Sequence, residues 1–313
     1  MSKYAVFDSH CDTATELWKR KETLERNTCH ISLPRMEQFA GCAQYFAFCT
    51  LGGLDTGWTC EQLLWEPYRY FMNQLQVHKD RIQLCVNGDD LDQATAAGKC
   101  AAFLSLEGAE GIACDPGRLE QLREAGITMV NLTWNANNAL AGCSKEDGPG
   151  LSEQGREFVR RAQKLGILID VSHVSDRAFW DIMDIAEAPV VASHSNSRRL
   201  CGHSRNLTDE QFLAICECGG YAGINLCPAF LSEGKKPDFE TIYTHMDHFL
   251  QLGGEHVAMG GDLDGISSLP DGFAGMQDYE KLALFLEQKG FHEDVIRGIY
   301  SNTMKKVVTL CTM

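Results

Sequence analysis

The sequence predicts an α/β chain folded as a (β/α)8 barrel of the TIM type. Eight short apolar runs alternate with helical stretches along 313 residues, with no Pro/Ser-rich linker and no low-complexity segment between them. Five of the runs end on a His, an Asp or a Glu: residues 5–12 (AVFDSHCD), 101–107 (AAFLSLE), 167–173 (ILIDVSH), 189–194 (PVVASH) and 256–262 (HVAMGGD). A barrel gathers its C-terminal strand ends at one mouth, so these polar ends would share one site there. A doubly wound open sheet is the alternative, but nothing like GxGxxG follows the first run. Barrels of this length routinely form one domain, and residues 1–313 are read as one.

Taken in order, the first strand carries Asp8, His10 and Asp12 at alternate positions. A strand's period of two places all three on one face, where a His and a carboxylate two residues apart can grip one ion. Residues 14–25 have helical composition. A second strand, 43–49, lies between Gly41 and the Gly52-Gly53 pair. The helix 62–78 sets Leu63, Leu64, Tyr68, Phe71, Met72 and Leu75 at helical spacing. A short helix, 91–97, leads through Gly98 into the strand ending at Glu107. Helix 119–125 stops at Gly126, and strand 127–133 follows. The polar loop 135–150 is long enough to be functional rather than a connector. Ser152 opens a helix to Lys164 that Gly166 closes, and after the strand to His173 another helix starts at Ser175. The strand to His194 leads into an Arg-rich loop, 197–206. Thr208 to Gln211 reads as a capping box for a helix to Cys218. Strand 220–226, helix 239–252, the strand to Asp262 and helices 279–288 and 293–308 complete the chain.

Composition narrows the class. The chain is 44% apolar and 23% charged, with a net charge of −15 and no Lys/Arg-rich run. That balance repels phosphate backbones and anionic lipid, so neither nucleic acid nor a membrane is expected as a partner. No stretch of 18 apolar residues occurs, and the first strand begins almost at Met1, so a cytoplasmic protein is expected. The fourteen cysteines include no CxxC pair. Cys42, Cys49, Cys85 and Cys100 lie in or beside apolar runs, where a reduced thiol behaves as a small hydrophobe.

Taken singly, each polar strand end has a structural reading: a His there is usually hydrogen-bonded, and Glu107 before Gly108 can cap the next segment. Three His, two Asp and one Glu at five strand ends of one barrel point elsewhere. The donors are nitrogen and oxygen alone, which suits zinc or another borderline divalent ion. Three imidazoles and two carboxylates serve two ions if one carboxylate bridges. His245 and His248 form HxxH on a helix but lack the Glu of a zincin, so both are expected at the surface. His203, beside Arg205, is a weaker candidate for touching substrate.

Six segments in order, SHCD (9–12), LEGAE (106–110), DVSH (170–173), SHS (193–195), SRN (204–206) and GGDLDG (260–265), resemble the membrane (renal-type) dipeptidase family, the M19 metallopeptidases of the amidohydrolase-like barrels. The resemblance runs nearly end to end. It implies a dipeptidase with two divalent ions, zinc the first candidate, His10 and Asp12 holding one, His173 and His194 the other, and Glu107 bridging. It also implies Asp262 as the catalytic proton-transferring carboxylate and Arg205 as the receiver of the substrate's terminal carboxylate. General chemistry agrees. A water shared by two zinc ions loses a proton near neutral pH, a placed carboxylate carries that proton to the leaving amine, and a guanidinium grips a carboxylate bidentately.

Two positions depart from the family. Relatives carry a His where this chain has Trp134, a substrate-contact position. Many also have a Tyr after the Asn-Phe of strand seven, where this chain reads Asn225-Leu226-Cys227. Trp134 keeps open an amidohydrolase acting on a cyclic amide, an N-acyl amino acid or a lactone. A metal-binding barrel without turnover is a third reading, disfavoured because the full ligand set and Asp262 are present. The expected partner is a short peptide, L,D-dipeptides included, with homodimerisation left open.

Overall fold

The computed structural model describes residues 2–50, 57–146 and 148–311. The strands are β1 (Val6–Cys11), β2 (Cys42–Cys49), β3 (Ile82–Leu84), β4 (Cys100–Glu107), β5 (Ile127–Asn131), β6 (Leu168–Asp170), β7 (Val190–Val191), β8 (Ala222–Ile224) and β9 (Val257–Met259). Eight of them run parallel in the order β7-β6-β5-β4-β2-β1-β9-β8. The ring closes where Ala192 bridges Ala222: Ala192 N donates to Tyr221 O (2.9 Å) and Gly223 N to Ala192 O (2.8 Å). The predicted barrel is therefore the observed one. β3 is the addition, a three-residue strand paired to β4 outside the ring and too short to stand out as a run of its own.

Period two sorts the side chains. Along β2, Ala43 and Tyr45 face the barrel interior, while Phe46 and Phe48 pack outward against helices. Phe7, Tyr45 and Phe103 meet inside at ring distances of 5.0 to 6.0 Å. Leu91, Ala94, Met304 and Val307 join this inner cluster and stopper the end away from the strand C-termini. By the same alternation β4 sends Phe103 inward, then Ser105, then Glu107 at its last position, under the open mouth.

Helix ends follow their caps. Both partners of the Thr208–Gln211 capping box are in place on the helix Asp209–Glu217. The helix Tyr279–Gln288 has the expected bounds. The first helix is shorter than expected, Thr13–Arg20, because Lys21 turns left-handed at φ 58°. The final one is broken: Glu293–Arg297 and Thr303–Cys311 flank a π turn, Gly298–Asn302. The Gly52-Gly53 boundary lies outside the described residues. No disulfide joins the cysteines among the described residues, and no helix there is long and apolar enough to cross a membrane.

His245 corrects the surface expectation. It is buried, with Nδ1 accepting from Ser197 N (3.1 Å) and Nε2 donating to Leu231 O (2.9 Å). Both ring nitrogens tie loops together. His248 is half-exposed and pairs with Asp209.

Candidate metal centre

The first strand does not keep strict alternation to its end. Asp8 stands opposite Gln44 and Cys11 opposite Phe46, three steps against two, so β1 carries a bulge. The expectation that Asp8 shares a face with His10 and Asp12 is corrected by it. Asp8 Oδ1 accepts from His10 N (2.9 Å) and Gln44 Nε2 (3.3 Å). Its Oδ2 accepts from Gly261 N (3.0 Å) and the Tyr279 hydroxyl (2.5 Å). Asp8 thus pins the ends of β1 and β9, and the bulge aims His10 and Asp12 at the mouth.

There His10 Nε2 lies 3.5 Å from Asp12 Oδ2, 3.7 Å from Glu107 Oε1 and 3.8 Å from Asp262 Oδ1. His173, His194 and Asp262 each sit three residues beyond a strand end, at Asp170, Val191 and Met259. Glu107 Oε1 is 2.9 Å from His173 Nε2 and 3.6 Å from His194 Nε2, and the two Nε2 atoms are 3.0 Å apart. Asp262 is left-handed at φ 54° and Asp264 at φ 68°, strained for non-glycine residues. Gly265 completes this loop because a Cβ there would meet the carboxylates of Asp12 and Asp262.

Burial and charge set the protonation of the cluster. Burial alone would strip His10 of its proton, yet Glu107 and Asp12 raise it to about 10. Asp262 is pushed up to about 7, first by burial and then by Asp12 and Glu107, against the pull of His10. Burial holds His173 and His194 well below the usual range, and the Arg205 charge adds to it. One half of the site thus demands positive charge, and the other offers two neutral imidazoles. That is the demand a divalent cation meets, and an ion would displace the His10 proton.

Among the described residues, two groups hold their donor atoms within 4.8 Å of one another: His10, Glu107 and His194, and His10, Asp12 and Asp262. The residues fit divalent metal. His10 belongs to both groups, which cuts across the pairing that the resemblance implies.

Arg205 is buried at the wall of the site, with Nη2 3.1 Å from His173 Nε2 and Nη1 3.4 Å from Ser195 Oγ. The cavity over the cluster measures about 450 Å³, within the usual size for a small-molecule site, and Trp134, Cys227 and Phe230 line it with Arg205. His203 stays off the cavity wall; its Nδ1 accepts from Arg205 N (3.1 Å) and so shapes the loop. A larger hollow, about 810 Å³, lies at the N-terminal end of β9 and holds none of these residues.

Asn225, noted in the sequence only as the start of Asn225-Leu226-Cys227, has a role that sequence reasoning did not assign. It is fully buried, and Nδ2 donates to Asp262 Oδ2 (3.0 Å) and to His194 O (3.2 Å). Its signals were a polar residue closing the apolar run GYAGI and its place at the Asn of the family's strand-seven pattern. Glu16 and Lys19, on the cavity rim, lie four and seven residues after Asp12, one and two helical turns on.

The family described as "Membrane dipeptidase (Peptidase family M19)" matches residues 1–310. The M19 metallopeptidase dipeptidase AC has a crystal structure that superposes with a TM-score of 0.90 at 25% identity, covering 99% of both chains. A metallopeptidase from Rhodobacter sphaeroides, solved with a phosphinate mimic of the dipeptide L-Ala-D-Ala, has the same TM-score, identity and coverage. A protein encoded in the pqqA 5′ region of Klebsiella pneumoniae is 34% identical over 248 residues, 75% of this chain and 90% of its own length.

Proposed function

The chain belongs to the membrane dipeptidase family, peptidase family M19, and we propose that its reaction is zinc-dependent cleavage of dipeptides, L,D-dipeptides among them. As a member it is a metallo-dipeptidase, a hydrolase acting on peptide bonds. The observation that carries the finer reading is a cavity at the barrel mouth whose wall carries both a carboxylate-rich donor cluster and, beside His173, a buried guanidinium. The relative solved with an L-Ala-D-Ala mimic supports the stereochemistry.

His10, Asp12, Glu107, His173 and His194 would hold two ions, with Glu107 between them. When bound, such ions would supply a water acidified toward neutral pH and would polarise the scissile carbonyl. The protein does the rest. Arg205 is always charged and receives the terminal carboxylate of the substrate. Asp262 takes a proton at the mouth of the site and returns it to the departing amine. Asn225 holds the carboxylate of Asp262 toward the site. Trp134 narrows the wall and favours small side chains near the scissile bond.

Trp134 also sustains a second reading, hydrolysis of N-acyl amino acids, which present the same carboxylate to Arg205. A lactone or cyclic amide would leave that buried charge unpaired. Zinc-reconstituted protein assayed on L,L- and L,D-dipeptides, their C-terminal amides and N-acetyl amino acids separates these. Turnover of small L,D-dipeptides with loss on amidation is expected. Equal turnover of amides, or preference for N-acetyl amino acids, overturns the dipeptide assignment.

A further inference from the structure

The ends of β6 and β7 share a buried carboxylate that the hydrolytic reaction does not use. Asp170 is fully buried, and its two oxygens have different partners. Oδ1 accepts from Ser172 N (3.0 Å), Ser172 Oγ (2.7 Å) and Ser193 N (2.9 Å). Oδ2 accepts from the Ser193 hydroxyl. Ser193 Oγ in turn lies 2.6 Å from His194 Nδ1, and Ser172 Oγ accepts from His194 N at 3.1 Å. These two serines directly precede His173 and His194.

Counting protons settles the direction of the chain. A carboxylate with four donors aimed at it acts as acceptor only. The Ser193 hydroxyl has one proton and gives it to Asp170, so toward His194 it can only accept. Nδ1 of His194 must carry the ring proton, which leaves Nε2 with a bare lone pair, 3.0 Å from His173 Nε2 and 3.6 Å from Glu107 Oε1. We propose that Asp170 and Ser193 form a positioning relay that fixes His194 as its Nδ1–H tautomer and presents Nε2 to the metal centre. Metal-binding histidines commonly donate their second nitrogen directly to a carboxylate. Here a serine stands between, and the same carboxylate also fastens Ser172, the neighbour of His173.

The unequal oxygens allow a test. In Asp170→Asn the amide oxygen takes the Oδ1 place, where three donors converge, and the NH2 group faces Ser193. Ser193 Oγ then accepts from the amide and turns its own proton to His194 Nδ1. The ring proton moves to Nε2, the nitrogen that should bind metal. Ser193→Ala removes the relay and leaves a mixture of tautomers. Ser172→Ala cuts a bond to the same carboxylate and a long contact to Ser193 Oγ (3.3 Å) but leaves Ser193 bonded to Asp170 and to Nδ1, so the wild-type tautomer stays.

The proposal rests on the metal reading of the site, so two readouts are taken. Long-range proton–nitrogen spectra of metal-free, ¹⁵N-histidine-labelled protein report the tautomer, with the His194 signals assigned by their loss in His194→Asn. Cobalt(II) titration followed by visible absorption reports metal affinity. Asp170→Asn should show Nε2–H and bind cobalt about 10- to 100-fold more weakly, as loss of such outer partners typically does. An Nε2–H tautomer in the wild type overturns the relay, and so does an unchanged tautomer in Asp170→Asn. Equal tautomer changes in Ser172→Ala and Ser193→Ala would reduce it to plain structural support and overturn it too. Wild-type protein with the Nδ1–H pattern but no cobalt binding overturns the metal reading and leaves the relay standing.

Discussion

Asp262 and His10 lie 3.8 Å apart, and each has its proton affinity reset by the other's neighbourhood. Asp262 sits within reach of His10 and Asp12 in one candidate metal group, so a ligand role competes with a proton-transfer role. Asp262→Asn separates them. If it moves protons, the variant keeps its zinc by elemental analysis and loses about 10²- to 10⁴-fold in kcat. Lost zinc with undiminished activity per bound ion would make Asp262 a ligand instead. His10 gives a pH prediction for the metal-stripped protein. Its folded value of about 10 exceeds the ordinary 6.5, so its contribution is complete below 6.5 and is lost as pH rises toward 10. Between pH 7 and 8.5 the melting temperature in chelator should fall, at about 1 kcal/mol of stability per pH unit. His10→Asn should flatten that slope, and added zinc should stabilise more as pH rises, because binding needs the neutral ring. A slope unchanged in His10→Asn would place its origin elsewhere.

The loop after β9 shows how an element can be specified by close contact rather than by pattern. A Cβ on Gly265 would meet the carboxylates of Asp12 and Asp262, so Gly265→Ala must displace one of them. It should cost about 1–3 kcal/mol in urea denaturation, as overpacking typically does, and weaken zinc binding. Gly298→Ala, where nothing lies within 4 Å of the added atom, should leave zinc binding unchanged. Equal zinc affinity in both variants would show that the loop has room to spare. The strand runs and their polar ends were legible because apolar β-branched stretches and chemistry-bearing residues are local features. The bulge in β1 was not: alternation extrapolates through Asp8, and only pairing with β2 reveals three residues against two. His245 misled for a related reason, since HxxH spacing says nothing of the loops that close over it. Asp170 and Ser193 were visible as parts of DVSH and SHS, but their bonding joins residues 23 apart in the chain.

At the scale of the whole barrel, the ring is unevenly sewn. β2 and β4 pair over seven residues, Ala43 to Cys49 against Ala101 to Glu107. β7 has two residues, and its join to β8 is the single Ala192–Ala222 bridge with its flanking hydrogen bonds. His194 stands two residues beyond that bridge, and Asn225 ties His194 O to Asp262 across it. A thinly paired seam of the barrel therefore runs beneath the candidate metal centre. Ions held among the side chains of that centre would link the short strands to the long ones. Local opening follows the least-paired segments, so zinc should slow amide exchange most at residues 190–195 and 221–225. Exchange within β2 and β4 should change little, since those strands are held by their own ladder. Hydrogen–deuterium exchange with and without zinc, read by peptide mass, checks this. Protection spread evenly over all eight strands would mean that the metal stabilises the fold globally and that the seam has no special mobility.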